Sequence, residues 1–156
     1  MSLWRRSLAV LVALGSLTLA GCSSPVTGGT GIFVEDGHVH AIVQMCPDAT
    51  ANSVSLTRAL PPNYFWETTV WRFDDARSAT IDLGTVGEFI DRLSEKGMQL
   101  SSNASYGVGG WVKFDAADIR ALTDGEILSF SWSTDGTVTF DKPAFEAEAV
   151  LYCDGI

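Results

Sequence analysis

Histidine and basic residues are scarce in this sequence, and each scarcity removes a class of function. His38 and His40 are the only two histidines. A serine triad would have to borrow one of them, and nothing in the sequence sets a nucleophile beside either. Gly-x-Ser-x-Gly, His-Glu-x-x-His and phosphate-binding glycine patterns are all missing. Ten Lys and Arg stand against nineteen Asp and Glu, which leaves no basic face for nucleic acid. The longest apolar stretch falls short of the about 20 residues that a membrane-crossing helix needs. Nothing in the sequence asks for a cofactor.

What is present begins at the N-terminus. Arg5 and Arg6 precede an uncharged run from Leu8 to Ala20, which Gly15, Ser16 and Thr18 weaken as a permanent span. A basic start, a short apolar core and small residues before a cut describe a signal peptide. The run ends in Leu19-Ala20-Gly21-Cys22, which resembles a bacterial lipobox. That resemblance implies a diacylglyceryl thioether on Cys22 and cleavage between Gly21 and Cys22. Two acyl chains anchor stably where one is marginal, so the implied location is the extracytoplasmic face of the cell membrane. The competing reading is a plain secreted protein with an incidental Cys22. Trp4-Arg5-Arg6-Ser7-Leu8-Ala9 also partly resembles a twin-arginine export signal.

Without Arg5 and Arg6 the formal charge moves from −9 to −11, two positive charges being lost. Such a domain is repelled by an anionic bilayer surface, so the lipid must do the holding. The sequence then divides into a signal peptide (1–21), a lipidated cysteine with a flexible tether (22–30) and one domain (31–156). The tether reading rests on Ser23-Ser24-Pro25-Val26-Thr27-Gly28-Gly29-Thr30, which is small and uncharged.

With Cys22 used by lipid, Cys46 and Cys153 remain near the two ends of the domain. Outside the cytoplasm two such cysteines are most simply a disulfide; two buried free thiols are the alternative. Closing so long a loop contributes about 4–5 kcal/mol in the chain-entropy model.

Patterning points to a mainly β domain. Ile32–Glu35 and His38–Cys46 flank Asp36-Gly37, the signature of a type I′ hairpin. Val39, Ala41, Val43 and Met45 share one face of its second strand. Ser53–Arg58 and Trp66–Phe73 read as strands around a Pro61-Pro62-Asn63 loop. Asp74–Arg77 reads as a turn that lets Ser78–Leu83 pair back as a further hairpin. Val86, Phe89, Ile90 and Leu93 then fall on one helical face, with Thr85 and Glu88 as a capping box and Gly97 as the stop.

Ser101–Ser105 is polar. Tyr106–Phe114 is a strand broken by Gly107, Gly109 and Gly110. Asp115–Leu122 is one or two helical turns capped by Asp115. Ile127–Ser133 and Val138–Phe140 flank a second Asp-Gly pair, Asp135-Gly136. Pro143–Cys153 fits either a helix or a strand; its Ala and Glu favour a helix, which would deliver Cys153 toward Cys46. The sum is a β-sandwich or open barrel of about eight short strands with one or two short helices. A hairpin ending in Val43-Gln44-Met45-Cys46-Pro47 and a closing Tyr152-Cys153 resemble small lipoproteins of high-GC Gram-positive bacteria, a likeness that implies no activity.

Two sets of residues carry functional expectations. His38 and His40, two apart on one strand face, sit about 6.5–7 Å apart at Cα. That suits two imidazoles on one metal, with Glu35 across the hairpin as the nearest third group. The competing reading is a pair of solvated polar residues. The second set is aromatic. Trp66 and Trp71 point to opposite faces of one strand, so both fill a core only if both faces are covered. Tyr64 and Trp66 are therefore the candidate binding surface, able to stack on a sugar or anchor a protein. The leading expectation is a non-enzymatic module that binds a protein or glycan at the cell envelope. The alternatives are a metal- or carboxylate-dependent hydrolase using His38 and His40, and a structural spacer.

Overall fold

The computed structural model describes residues 27–60, 65–92, 98–104, 107–108, 112–151 and 153. The lipobox, Tyr64, Leu93 and Gly97 therefore lie outside the described residues. The fold is organised by the first hairpin, β1 (Gly28–Glu35) and β2 (His38–Met45). Asp36 and Gly37 both adopt positive φ, 50° and 77°, as a two-residue I′ turn requires. The ladder runs unbroken from Glu35↔His38 to Gly28↔Met45. Val39, Ala41, Val43 and Met45 are fully buried, as their alternation predicts.

β1 begins inside the stretch expected to be tether. The reason is steric. A Cβ at Gly28 would strike the Gln44 and Met45 backbone, and one at Gly29 would lie 2.9 Å from the Ala149 Cβ. These glycines serve close approach rather than freedom.

β1 also pairs with β9 (Ile127–Ser131), which pairs with β10 (Gly136–Phe140), while β2 pairs with β5 (Ser78–Thr85). One antiparallel sheet thus runs β10-β9-β1-β2-β5. The second runs β4 (Phe65–Ala76), β3 (Ala51–Leu60), β6 (Met98–Ala104), β7 (Gly107–Val108), with β8 (Val112–Phe114) also on β6. The described residues thus form a two-sheet β-sandwich with three short helices, not a closed barrel.

One pairing expectation needs correction. β4 does not pair with β5; the chain bends at Arg77 and crosses from one sheet to the other. The Arg77 carbonyl accepts from the Met45 amide at 2.7 Å, which fastens β5 along the free edge of β2. The polar stretch from Ser101 falls in β6, which extends to Ala104. Its Ser101 and Asn103 pair in register with Ser55 and Ser53.

The main core lies between the sheets. Ile32, Val39, Ala41, Val43, Leu83 and Leu128 meet Val54, Leu56, Val112 and Phe114. Trp71 and Phe73 pack half-buried against it. Two helices close it. α1 (Val86–Arg92) buries Phe89, whose ring stacks on Phe114 at 6.2 Å. Its start is capped by Thr85, whose hydroxyl accepts from the Glu88 amide at 3.3 Å and donates to the Glu88 carboxylate at 3.0 Å. α2 (Ala116–Ala121) carries a full capping box from Asp115 and Asp118 and buries Ile119.

The last segment is helical. α3 (Lys142–Val150) is capped by Asp141 and lies on the outer face of the first sheet. Phe145 and Ala149 bury there with Ile42 and Ile127 as a second core. Ser131 Oγ and the Trp132 amide both donate to Glu148, at 2.8 and 3.2 Å. Beyond α3, Cys153 bonds Cys46 across a sequence separation of 107. Among the described residues no helix is long and apolar enough to cross a membrane.

Candidate functional site

α3 covers only part of the outer face of the first sheet. Toward the Asp36–Gly37 turn that face stays open and carries Phe33 from β1, His38 and His40 from β2, and Thr80 and Asp82 from β5. A bulge brings the histidines and Asp82 together. Between Val39 and His40 the β2–β5 register shifts by one, leaving Leu83 without a partner on β2. Leu83 turns into the main core. Gly84 takes the positive φ, 120°, that the distortion demands. Its amide donates to Asp82 Oδ1 at 2.8 Å.

His38 completes this arrangement. Its Nδ1 lies 2.9 Å from Asp82 Oδ2 and 3.2 Å from Oδ1. A carboxylate only accepts, so the imidazole proton of this contact sits on Nδ1. The Gly84 amide first, and then His38, hold the Asp82 carboxyl below its ordinary value of 3.8. His40 does something different. Its ring stacks on Phe33 with centroids 5.0 Å apart and 20° between planes.

The two imidazole centroids are 6.3 Å apart, but the groups around them do not form a metal cage. Among the described residues no three His, Cys, Asp or Glu side chains are placed to hold one ion. Glu35, the nearest group in sequence for a third ligand, instead borders a groove that opens beside Phe33. This groove measures about 460 Å³, within the usual range of small-molecule sites. Its floor is apolar: Phe33, Ile42 and Ile127. Its rim is polar: Glu35, Asp36, Thr80, Asp124 and Lys142. Phe33 belongs to both features, since the ring that stacks on His40 also lines the groove.

The chain matches no protein-family model, no curated protein and no solved structure. The site must therefore be read from its own chemistry.

Cys46 and Cys153 are joined as expected. Trp66 lies on β4 opposite Ala59; its side chain and Tyr64 lie outside the described residues, as does Cys22. Asp82, Phe33 and Asp124 were missed by sequence reasoning. Asp82 becomes visible only when β5 is laid against β2, and Gly84 is the bulge signal that would have aligned them. Asp124 is brought to the groove by a turn at Gly125, whose φ is 84°.

Proposed function

We propose that this protein is a lipid-anchored extracytoplasmic binding module that uses the groove beside Phe33 to hold its ligand. The observation that carries this reading is the groove, an apolar floor ringed by polar groups and left open by α3. The lipobox-like Leu19-Ala20-Gly21-Cys22 supports the anchor. The chain enters the domain at Thr27, whose carbonyl accepts from the Cys46 amide at 2.8 Å. Five residue steps from Cys22 span at most about 17–18 Å, so the disulfide pole would sit near the membrane. The eight residues of β1, at about 3.3–3.4 Å each, then place Glu35 and the groove some distance outward. A ligand would be met on the side facing away from the lipid, where envelope proteins and glycans are.

A hydrolytic reading draws little support from this geometry. His38 is turned to Asp82 and His40 to Phe33, and neither ring borders the groove. A pure spacer has no need of an open, half-apolar recess.

The test is methyl NMR of the full chain in non-ionic detergent during titration with solubilised envelope glycans and peptides. Ile42 and Ile127 should shift saturably while Val112 and Ile119 in the main core stay fixed. Shifts confined to other surfaces, or none at saturation, would remove the groove from consideration. Mass spectrometry of the mature N-terminus checks the anchor: an unmodified Cys22 would overturn the location.

A further inference from the structure

We infer that the groove selects a small organic cation, a protonated amine or guanidinium carried on an apolar body. This deepens the binding reading and rests on it. Three carboxylates border the groove on different elements: Glu35 at the end of β1, Asp36 in the hairpin turn and Asp124 in the turn before β9. One cation, Lys142, opposes them, and its ammonium already lies 4.0 Å from Glu146 in the next turn of α3. The rim is therefore net negative, on a chain of formal charge −9.

The floor explains the second half of the ligand. Ile42 and Ile127 close the groove from below at 4 % and 3 % exposure, so the apolar surface offered to a ligand is chiefly the half-buried ring of Phe33. Phe33, part of that floor, has His40 on one side of its ring. A cation near the remaining ring surface gains from the ring quadrupole as well as from the carboxylates. An anion would meet three like charges, and an uncharged polar group would gain only hydrogen bonds. An apolar stem with a cationic head matches both layers at once. The field of the whole chain acts in the same sense and speeds encounter with cations.

The experiment compares three probes of one shape: 4-phenylbutylamine, 4-phenylbutanol and 4-phenylbutyrate. Each is titrated into the full chain in non-ionic detergent, with the backbone amides of 33–36 and 124–127 as the readout. The amine should bind most tightly and the carboxylate least. Glu35→Gln, Asp36→Asn and Asp124→Asn should each weaken the amine about two- to fivefold, the range of exposed charge pairs, without weakening the alcohol. Raising salt from 0.01 to 0.5 M should erode the amine's advantage, because the Debye length shrinks severalfold. Equal affinity for all three probes would overturn the cation inference and leave an apolar binding groove. Failure of all three to perturb these amides would overturn both the inference and the groove. Asp36→Asn keeps a residue suited to positive φ, and the other two positions are exposed, so the variants should fold.

Discussion

One face of the first sheet meets two different fates. Along β1 the residues directed to that face are Gly29, Gly31, Phe33 and Glu35. Over the two glycines the face is sealed: α3 sits down on it with Phe145 and Ala149, and a Cβ at either position would collide. Past them the face is open, and the side chains that begin at Phe33 build the groove and the His38–Asp82 cluster. The backbone pattern is the same in both halves. The difference is side-chain volume along one strand, which assigns half the face to packing and half to contact with something else. The sealed half should therefore carry more of the stability than the open half.

The strongest way to break that division is through the disulfide, which ties the sealed half shut from the C-terminal side. Replacing Cys46 and Cys153 together by serine should cost about 4–5 kcal/mol, read from equilibrium urea denaturation of the two proteins. A loss near zero would mean that α3 holds without it. Next comes Phe145→Ala, which empties a 1 % exposed site and should cost about 3–5 kcal/mol. Phe33→Ala on the open half removes a ring that is only half-buried and should cost about 1–2 kcal/mol. Equal losses at the two phenylalanines would erase the distinction between the halves.

Glycine substitution sharpens the same point. A Cβ at Gly31 would run into Ile127 and lie 3.2 Å from the Leu128 carbonyl. Gly31→Ala should therefore cost about 1–3 kcal/mol, as overpacking does. Gly87 in α1 has open space around it, so Gly87→Ala should stabilise by about 0.5–1 kcal/mol through helix propensity. Thermal melts of the pair give opposite signs if close approach, and not glycine flexibility, is what Gly31 supplies.

The sequence disclosed features whose cause lies within a few residues. Asp36-Gly37, the alternation through Val39 and Met45, the Thr85 and Asp115 caps and the helix bias of 143–153 are all local, and all appear in the fold. Features decided by competition between distant segments were hidden. Asp74–Arg77 has the composition of a turn whether the chain folds back or crosses between sheets. What decides is the free edge of β2, more than thirty residues earlier in the chain. Gly28, Gly29 and Gly31 announce the absence of a side chain, which means freedom in a tether and contact in a packed strand. Only the presence of α3 distinguishes the two. The groove gathers Glu35, Thr80, Asp124 and Lys142 from four separate elements, so no spacing in the chain could reveal it. The histidine pair was visible, but its true companion, Asp82, depends on a bulge.

The smallest effect should come from Asp82, in the open half. Its carboxyl is held below 3.8 by the Gly84 amide and then by His38. A carboxyl with a depressed folded-state value stabilises the fold above its unfolded value and ceases to do so as pH falls through the lower folded one. The contribution of Asp82 is thus fully present at neutral pH and disappears below about pH 3.8. Asp82→Asn removes that titration while keeping an oxygen that can accept from Gly84. Urea midpoints measured from pH 2 to 7 should fall less steeply below pH 3.8 in the variant than in the parent. Hydrogen exchange at the α3 amides should be the same in both proteins at pH 7. Parallel acid limbs would show that neither the Gly84 amide nor His38 holds the Asp82 carboxylate in solution. A loosened α3 would show that the two halves of the face are coupled, so that the open half cannot change without the sealed half responding.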